Sequence, residues 1–356
     1  MAEKKPKLKP KISPPEDLIP WGIGSLDLKL DGGIYEGVTT QVVGGPDYGK
    51  TTSVAHLMGS WMRVRKGGAL FVMADHKFDK KWFGRHGVKM SRLSLHPGGK
   101  LEDTFDAINH TIDTDLSVNF IAIDSIRAMT TSAMYALEFN AGPGQMAPEA
   151  HVTNRFFRNL SERLYQRRVK QSPVTMVVIN HESYVPLPGG KSMVVIPYGR
   201  QQLYQVHTRV RFEKPEYRDV ISGPTGTGDR MPTVVRFKYV VQKQHGSATK
   251  GEGWFDCYHA GPRTGQIREA LWWFSWGEEI GYITGKGPYQ VTAEEEKYRS
   301  KADLQDRMLS DADWFAPHKV RMMPQIVRWW KDHIGEPPED EQGEPRLVVK
   351  AKEPEG

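Results

Sequence analysis

The stretch Gly44–Thr52, GGPDYGKTT, constrains this chain more than any other. Gly44, Gly49, Lys50 and Thr51 stand at the spacing of a phosphate-binding loop: a glycine, four residues, then Gly-Lys-Thr. Glycines let successive backbone N–H groups turn inward around an anion, and the helix that follows presents its positive N-terminus. In such a loop Lys50 reaches the outer phosphates and the Thr51 hydroxyl takes a place on Mg²⁺. Gly45, Pro46, Asp47, Tyr48 and Thr52 complete the nucleotide-binding segment. A glycine-rich loop can match the bare pattern by accident, so the flanks matter. Thr39–Val43 (TTQVV) reads as a strand, and Thr52–Val64 carries apolar residues at helical spacing.

At 356 residues the chain can hold one large α/β domain and a smaller one. No apolar run reaches the roughly 18 residues that a membrane-spanning helix needs. The lysines of MAEKKPKLKPKISPPED precede no apolar segment, which argues against a signal peptide. The single cysteine, Cys257, cannot form an internal disulfide; it fits a reducing cytoplasm and reads as a small buried hydrophobe. The net charge of +6 hints at a polyanionic partner, with cations dense at Lys4–Lys11 and Arg155–Lys170 and acids at Glu336–Glu344. The expected plan is a disordered basic tail over 1–17, a core over 18–265, a small, mainly helical domain over 266–335 and a disordered acidic tail over 336–356.

Within the core, Ala69–Ala74 and Asn119–Asp124 are short apolar runs suited to strands buried on both faces of a parallel sheet. Each ends in an acid, Asp75 and Asp124, and Asp124 stands where a carboxylate orders the water shell of Mg²⁺. Leu101–Thr111 and Glu149–Lys170 read as helices, the second with Phe156, Phe157, Leu160 and Leu164 as its apolar side. Val174–Ile179 is a further strand, ending in Asn180-His181-Glu182. Ser183–Arg200 and Glu213–Thr233 read as loops, while Val234–Gln242 and Gly253–Tyr258 read as strands. Trp272, Trp273, Trp276, Trp329 and Trp330 mark the C-terminal domain, where aromatics are more often core than a base-stacking surface. The alternation predicts an α/β fold with a mostly parallel central sheet and ligands beyond the carboxyl ends of its strands.

In this order the segments resemble the RecA-type recombinases. IPWGIGSLDLKLDGGI resembles that family's lead-in, GGPDYGKTT its phosphate loop, FVMADHKFDKKW its catalytic-carboxylate segment and FIAIDSIRAM its second nucleotide motif. PGQMAPEAHVTNRFFRNL resembles the end of the first DNA-binding loop with the helix after it, and VVINH the sensor strand before the second. Asn180-His181, where bacterial members have Asn-Gln, resembles the phage branch typified by UvsX.

The resemblance implies a RecA-like core that binds ATP and Mg²⁺, binds single-stranded and double-stranded DNA, and self-assembles into a helical filament for pairing and strand exchange. It also implies partners such as a single-strand-binding protein and a mediator. Asp75 falls where a glutamate activates the attacking water, one methylene shorter. Trp82 falls where an aromatic ring stacks on adenine; Asn180 and His181 would sense the γ-phosphate, and a histidine there can titrate near neutrality. Lys243 aligns with a lysine that reaches the neighbouring subunit's ATP, a role less well matched at His245. The DNA-contacting residues implied are Gly142, Gly144, Gln145 and Met146 in the first loop. In the second they are Gly189, Gly190, Lys191, Met193, Val194, Ile196 and Arg200. Two other readings use the same motifs: a RecA-fold ring ATPase such as a hexameric helicase, and a DNA-binding protein in which Asp75 has disabled hydrolysis. The family's N-terminal docking helix has no counterpart in residues 1–17, which show no helical stripe.

Overall fold

The computed structural model describes residues 18–136, 148–186, 192–197, 200–222, 230–245, 251–286, 289–292 and 296–334. The expected tails at 1–17 and 336–356 lie outside these. The lead-in forms β1 (Leu18–Ile19), α1 (Gly24–Lys29) and β2 (Ile34–Tyr35), the strands pairing antiparallel. Its stripe of Ile23, Leu26, Leu28 and Leu30 is buried. Asp27 is buried beside it, because its carboxylate accepts the backbone N–H groups of Trp21 at 2.5 Å and Gly22 at 2.9 Å.

Strands and helices then alternate: β3 (Thr39–Gly44), α2 (Lys50–Val64), β4 (Gly68–Met73), α3 (Lys80–Arg85), β5 (Leu93–His96), α4 (Leu101–Thr114) and β6 (Val118–Asp124). After α5 (Ser132–Tyr135) and α6 (Pro148–Val169) comes β7 (Thr175–His181). The chain continues through a hairpin of β8 (Ser183–Pro186) and β9 (Ser192–Val195), then α7 (Arg200–Gln205). β10 (Thr208–Phe212), β11 (Glu216–Ser222), β12 (Arg230–Gln244), β13 (Gly251–Tyr258) and β14 (Ile267–Arg268) complete the large sheet. Its order is β14-β13-β12-β10-β3-β7-β6-β4-β5, with β11 also on β12. From β10 to β5 every neighbour is parallel, and β11 to β14 are antiparallel additions.

Both faces of the parallel strands are covered, which is why they read as unbroken apolar runs. On one face Val42, Val177, Ile179 and Val210 cluster with Val54, Leu57 and Met58 of α2. On the other, Val72, Ile121, Ile123, Met176 and Val178 cluster with Phe105 and Ile108 of α4 and Phe156, Phe157 and Leu160 of α6. The Phe105 and Phe156 rings stack at 3.9 Å. Arg167 of α6 is buried because five backbone carbonyls receive its guanidinium, among them Ile112 O and Ser172 O at 2.8 Å and Val118 O at 3.0 Å. It ties the end of α4 to the start of β6.

Two loop expectations are corrected. Ser183–Arg200 holds the β8–β9 hairpin and the first residue of α7, since SYVP and SMVV are extended runs that pair antiparallel. Glu213–Thr233 holds β11 and the beginning of β12, because EYRDVIS pairs antiparallel along the long strand. The stretch after Thr130 opens with α5, where Thr131 Oγ1 accepts the Met134 N–H at 3.1 Å.

The chain divides into two compact units between Glu269 and Ala270. The second contains α8 (Ala270–Glu279), β15 (Ile283–Lys286), β16 (Tyr289–Thr292), β17 (Lys297–Tyr298), α9 (Lys301–Ser310) and α10 (Ala312–Ile334). It is mainly helical, as the sequence predicts, and its three strands form an antiparallel sheet of their own. Trp273, Phe274, Leu304, Phe315 and Ile326 are buried in it. No helix among the described residues is long and apolar enough to cross a membrane.

Candidate nucleotide site and the second loop

The carboxyl ends of adjacent parallel strands bring the nucleotide motifs together. β3 ends at Gly44, and the chain turns through Asp47 at φ 58° and Gly49 at φ 87° into α2. Glycine is required at both ends of this turn. A Cβ on Gly44 would lie 2.6 Å from Phe212 O, and one on Gly49 would lie 2.5 Å from the Phe237 ring. Lys50 is buried in the first turn of α2 and donates to Gly45 O at 2.5 Å. Burial lowers its pKa, against the pull of Asp124, Asp47 and Glu182.

Thr51 Oγ1 donates to Asp124 Oδ2 at 2.5 Å, joining the loop to the end of β6. The sheet register sets Asp124 beside Met73, so Asp75 follows just beyond. Burial raises the Asp124 carboxyl to about 6; the Thr51 hydroxyl opposes this, Asp75 adds to it, and Lys50 and Lys77 oppose it. The Asp124–Ser125 peptide is cis. Asp75 is exposed and accepts the Lys77 N–H at 3.2 Å. The Thr51 hydroxyl and Asp124 carboxylate are hard oxygen donors, too few for an all-protein cage, which suits magnesium that keeps its waters. Among the described residues no group of three or more His, Cys, Asp or Glu could hold a metal by itself.

Trp82 lies half-buried on α3, its ring edge-on to His86 at 5.1 Å. Asp79 caps that helix, accepting the N–H groups of Lys81 at 2.8 Å and Trp82 at 3.0 Å. Along β7, Asn180 continues the row of Met176 and Val178 toward the α6 side, and His181 continues that of Val177 and Ile179. Asn180 is fully buried: its Oδ1 accepts the His181 N–H at 2.9 Å and its Nδ2 donates to Gln202 Oε1 at 3.3 Å. The expectation that His181 titrates near neutrality is corrected. Burial, Lys50 and Arg127 push its imidazole down to about 4, against Asp75, so it is neutral at pH 7.

Lys243 Nζ donates within the same protomer to Leu203 O at 2.6 Å and Tyr204 O at 3.4 Å, capping the C-terminal end of α7. The His245 ring lies edge-on to His207 at 5.3 Å. In the second loop Met193 and Val194 are exposed on β9 and Ile196 is half-buried. Arg127 donates to Ser183 Oγ at the base of the hairpin. Arg200 is the first residue of α7. Gly189, Gly190 and Lys191, with Gly142, Gly144, Gln145 and Met146 of the first loop, lie outside the described residues.

Sequence reasoning missed a polar layer on the α7 side of the sheet: Gln41 of β3, Arg209 and Arg211 of β10, Glu182 and Gln202. Arg211 Nε donates to Glu182 Oε1 at 2.5 Å, and Arg209 Nε to Gln41 Oε1 at 2.7 Å. The signal was present: a glutamine inside TTQVV and arginines inside TRVRF must find partners if those strands are central.

A phosphate loop between the first strand of a parallel sheet and its helix, with a carboxylate at the end of the next strand but one, defines the class: a phosphate-loop nucleotide-binding α/β protein. Residues 11–182 match the family description "RecA N-terminal domain". "Protein RecA" of Aquifex aeolicus is 25% identical over 313 residues, 85% of this chain and 86% of that protein. "Protein RecA" of Oleidesulfovibrio alaskensis is 23% identical over 268 residues, 74% of each chain. "Protein RecA" of Nautilia profundicola is 30% identical over 176 residues, 49% of this chain and 47% of that one. These matches support a RecA-type recombinase.

Proposed function

We propose that this recombinase hydrolyses ATP with Mg²⁺ at the Gly44–Thr52 loop and uses the nucleotide state to govern its grip on single-stranded DNA. The family match implies DNA binding and filament formation. The observation that carries the finer reading is convergence. Lys50, the Thr51–Asp124 pair, Asp75 and Asn180-His181 meet at the carboxyl ends of neighbouring parallel strands, where open α/β sheets bind ligands.

Lys50 and the loop N–H groups hold the phosphates, and the Lys50 ammonium, desolvated beforehand, gains a polyanionic partner. Thr51 and Asp124 hold the magnesium, which when bound supplies positive charge to the phosphate oxygens. Asp75 takes the proton of the attacking water as general base. Trp82 offers a flat apolar face to adenine. Asn180 reads the γ-phosphate, and neutral His181 donates one hydrogen bond beside it. Lys243, held at the end of α7, reaches the neighbouring protomer's nucleotide in the filament. The loops around 132–148 and 183–200 contact DNA: their glycines admit phosphates, Lys191 and Arg200 add charge, and Met193, Val194 and Ile196 wedge between bases. The family match spans the lead-in and phosphate loop through β7, which favours a filament over a ring ATPase.

Lys50→Ala tests this reading. ATP hydrolysis and ATP-dependent filaments on single-stranded DNA, seen by electron microscopy, should both be lost. Filaments indistinguishable from wild type would overturn it.

A further inference from the structure

Beneath the second loop runs a row of buried side chains that the nucleotide chemistry leaves unused. Arg209 Nε donates to Gln41 Oε1 at 2.7 Å, Gln41 Nε2 to Gln202 Oε1 at 2.6 Å, and Asn180 Nδ2 to the same Gln202 oxygen at 3.3 Å. All four side chains are buried. They come from the strand that feeds the phosphate loop (β3), the strand that carries the proposed sensor (β7), the strand after the second loop (β10) and the helix that closes that loop (α7).

The polarity of the row is fixed from both ends. A guanidinium only donates, so Gln41 must turn its oxygen to Arg209 and its N–H to Gln202. At the other end Asn180 Oδ1 accepts the His181 backbone N–H at 2.9 Å, which turns Asn180 Nδ2 toward Gln202. Gln202 therefore presents its oxygen to two donors, and its own Nε2 finds no partner among the described residues. The two bonds on that oxygen are unequal. The one from Gln41 is short and anchored by Arg209; the one from Asn180 is longer and yields first.

We propose that Gln202 is a positioning residue that ties the closing helix of the second loop to Asn180 through a hydrogen bond made without nucleotide and released with it. This rests on the reading of Asn180 as the γ-phosphate sensor. Asn180 faces the side away from the phosphate loop, so an amide that swings round to a phosphate oxygen leaves Gln202. Gln41 keeps its hold on the Gln202 oxygen, so the row persists while the link from α7 to β7 is broken. A ligand shifts a conformational equilibrium only through a difference in interaction between two states. This bond is such a difference, and it sits at the far stem of the loop proposed to grip DNA.

The test uses the full chain and two titrations by fluorescence: labelled oligo-dT with and without a slowly hydrolysed ATP analogue, and a fluorescent ATP analogue alone. The readout is the ratio of DNA affinities with and without nucleotide. In Gln202→Leu the tether is absent in both states, so DNA affinity without nucleotide rises and the ratio falls by about fivefold or more. Nucleotide affinity should hold or tighten, because no bond has to be broken on binding; a merely structural prop would weaken it. Gln202→Glu keeps an acceptor for both donors and should keep the wild-type ratio. Gln202→Met, unbranched and without the amide, replaces Gln202→Leu if that variant melts early. A leucine or methionine ratio within about twofold of wild type would overturn the inference, as would weakened nucleotide binding or equal loss in Gln202→Glu. A wild-type ratio of one would instead sink the sensor reading, and this inference with it.

Discussion

Replacing Gly49 by alanine asks whether the shape of the phosphate loop is set by packing against β12. Gly49 sits at φ 87°, and an added Cβ would lie 2.5 Å from Phe237 Cδ1 and 2.6 Å from its Cε1. The left-handed backbone costs alanine about 1–2 kcal/mol. Overlap with a packed ring adds about 1–3 kcal/mol. Phe237 is 8% exposed and lies against Phe255 at 5.5 Å, so it has little room to swing clear. The expected loss is about 2–5 kcal/mol, read by urea unfolding. The two costs separate in a double-mutant cycle. In a Phe237→Leu background the backbone cost remains and most of the steric cost goes, giving a coupling of about 1–3 kcal/mol. Nucleotide affinity should fall alongside, because Lys50 and Thr51 are the next residues in the chain. A single variant within about 0.5 kcal/mol of wild type, or a cycle that closes to zero, would refute the reasoning.

Asp75→Glu restores the reach of the family's glutamate and should raise DNA-stimulated ATP turnover by about tenfold; an unchanged steady-state rate would remove Asp75 as the base. His86 is buried with neither ring nitrogen partnered among the described residues, and burial and Arg85 push it down to about 4. Its folded pKa lies below the unfolded value of about 6.5, so its contribution of about 3 kcal/mol is complete above pH 6.5 and is lost as pH falls toward 4. His86→Leu should therefore flatten the pH dependence of unfolding over that window, and an unaltered profile would count against it.

The phosphate loop, the buried parallel strands and the acid at the end of β6 were legible because each is a local pattern with one physical solution. GGPDYGKTT needs its glycines where the backbone turns and where Phe212 and Phe237 crowd it. NFIAID and VTMVVI lack alternation because both of their faces are covered. What the sequence concealed depends on distant partners. The β11–β12 pairing requires a strand that looks exposed and polar when read alone. The low pKa of His181 comes first from burial and then from Lys50 and Arg127, far away in the chain. Gln202 belongs to a short helix with no motif, and only the fold brings it to Gln41 and Asn180.

β7 shows why nucleotide sensing and loop control can share one element. Successive side chains of a strand face opposite sides, so adjacent residues serve different layers. His181 falls on the side of the phosphate loop and lies in the field of Lys50. Asn180 and Glu182 serve the other side, where they meet Gln202 and Arg211. β8 begins at Ser183, directly after Glu182. No flexible spacer therefore separates a residue proposed to meet the outer phosphate from the hairpin proposed to meet DNA. A small displacement of the end of β7 changes the Asn180–Gln202 bond and the Glu182–Arg211 pair together. The first of these reaches the far stem of the loop and the second its near stem. On the proposed reading, coupling is a consequence of strand parity and needs no separate lever.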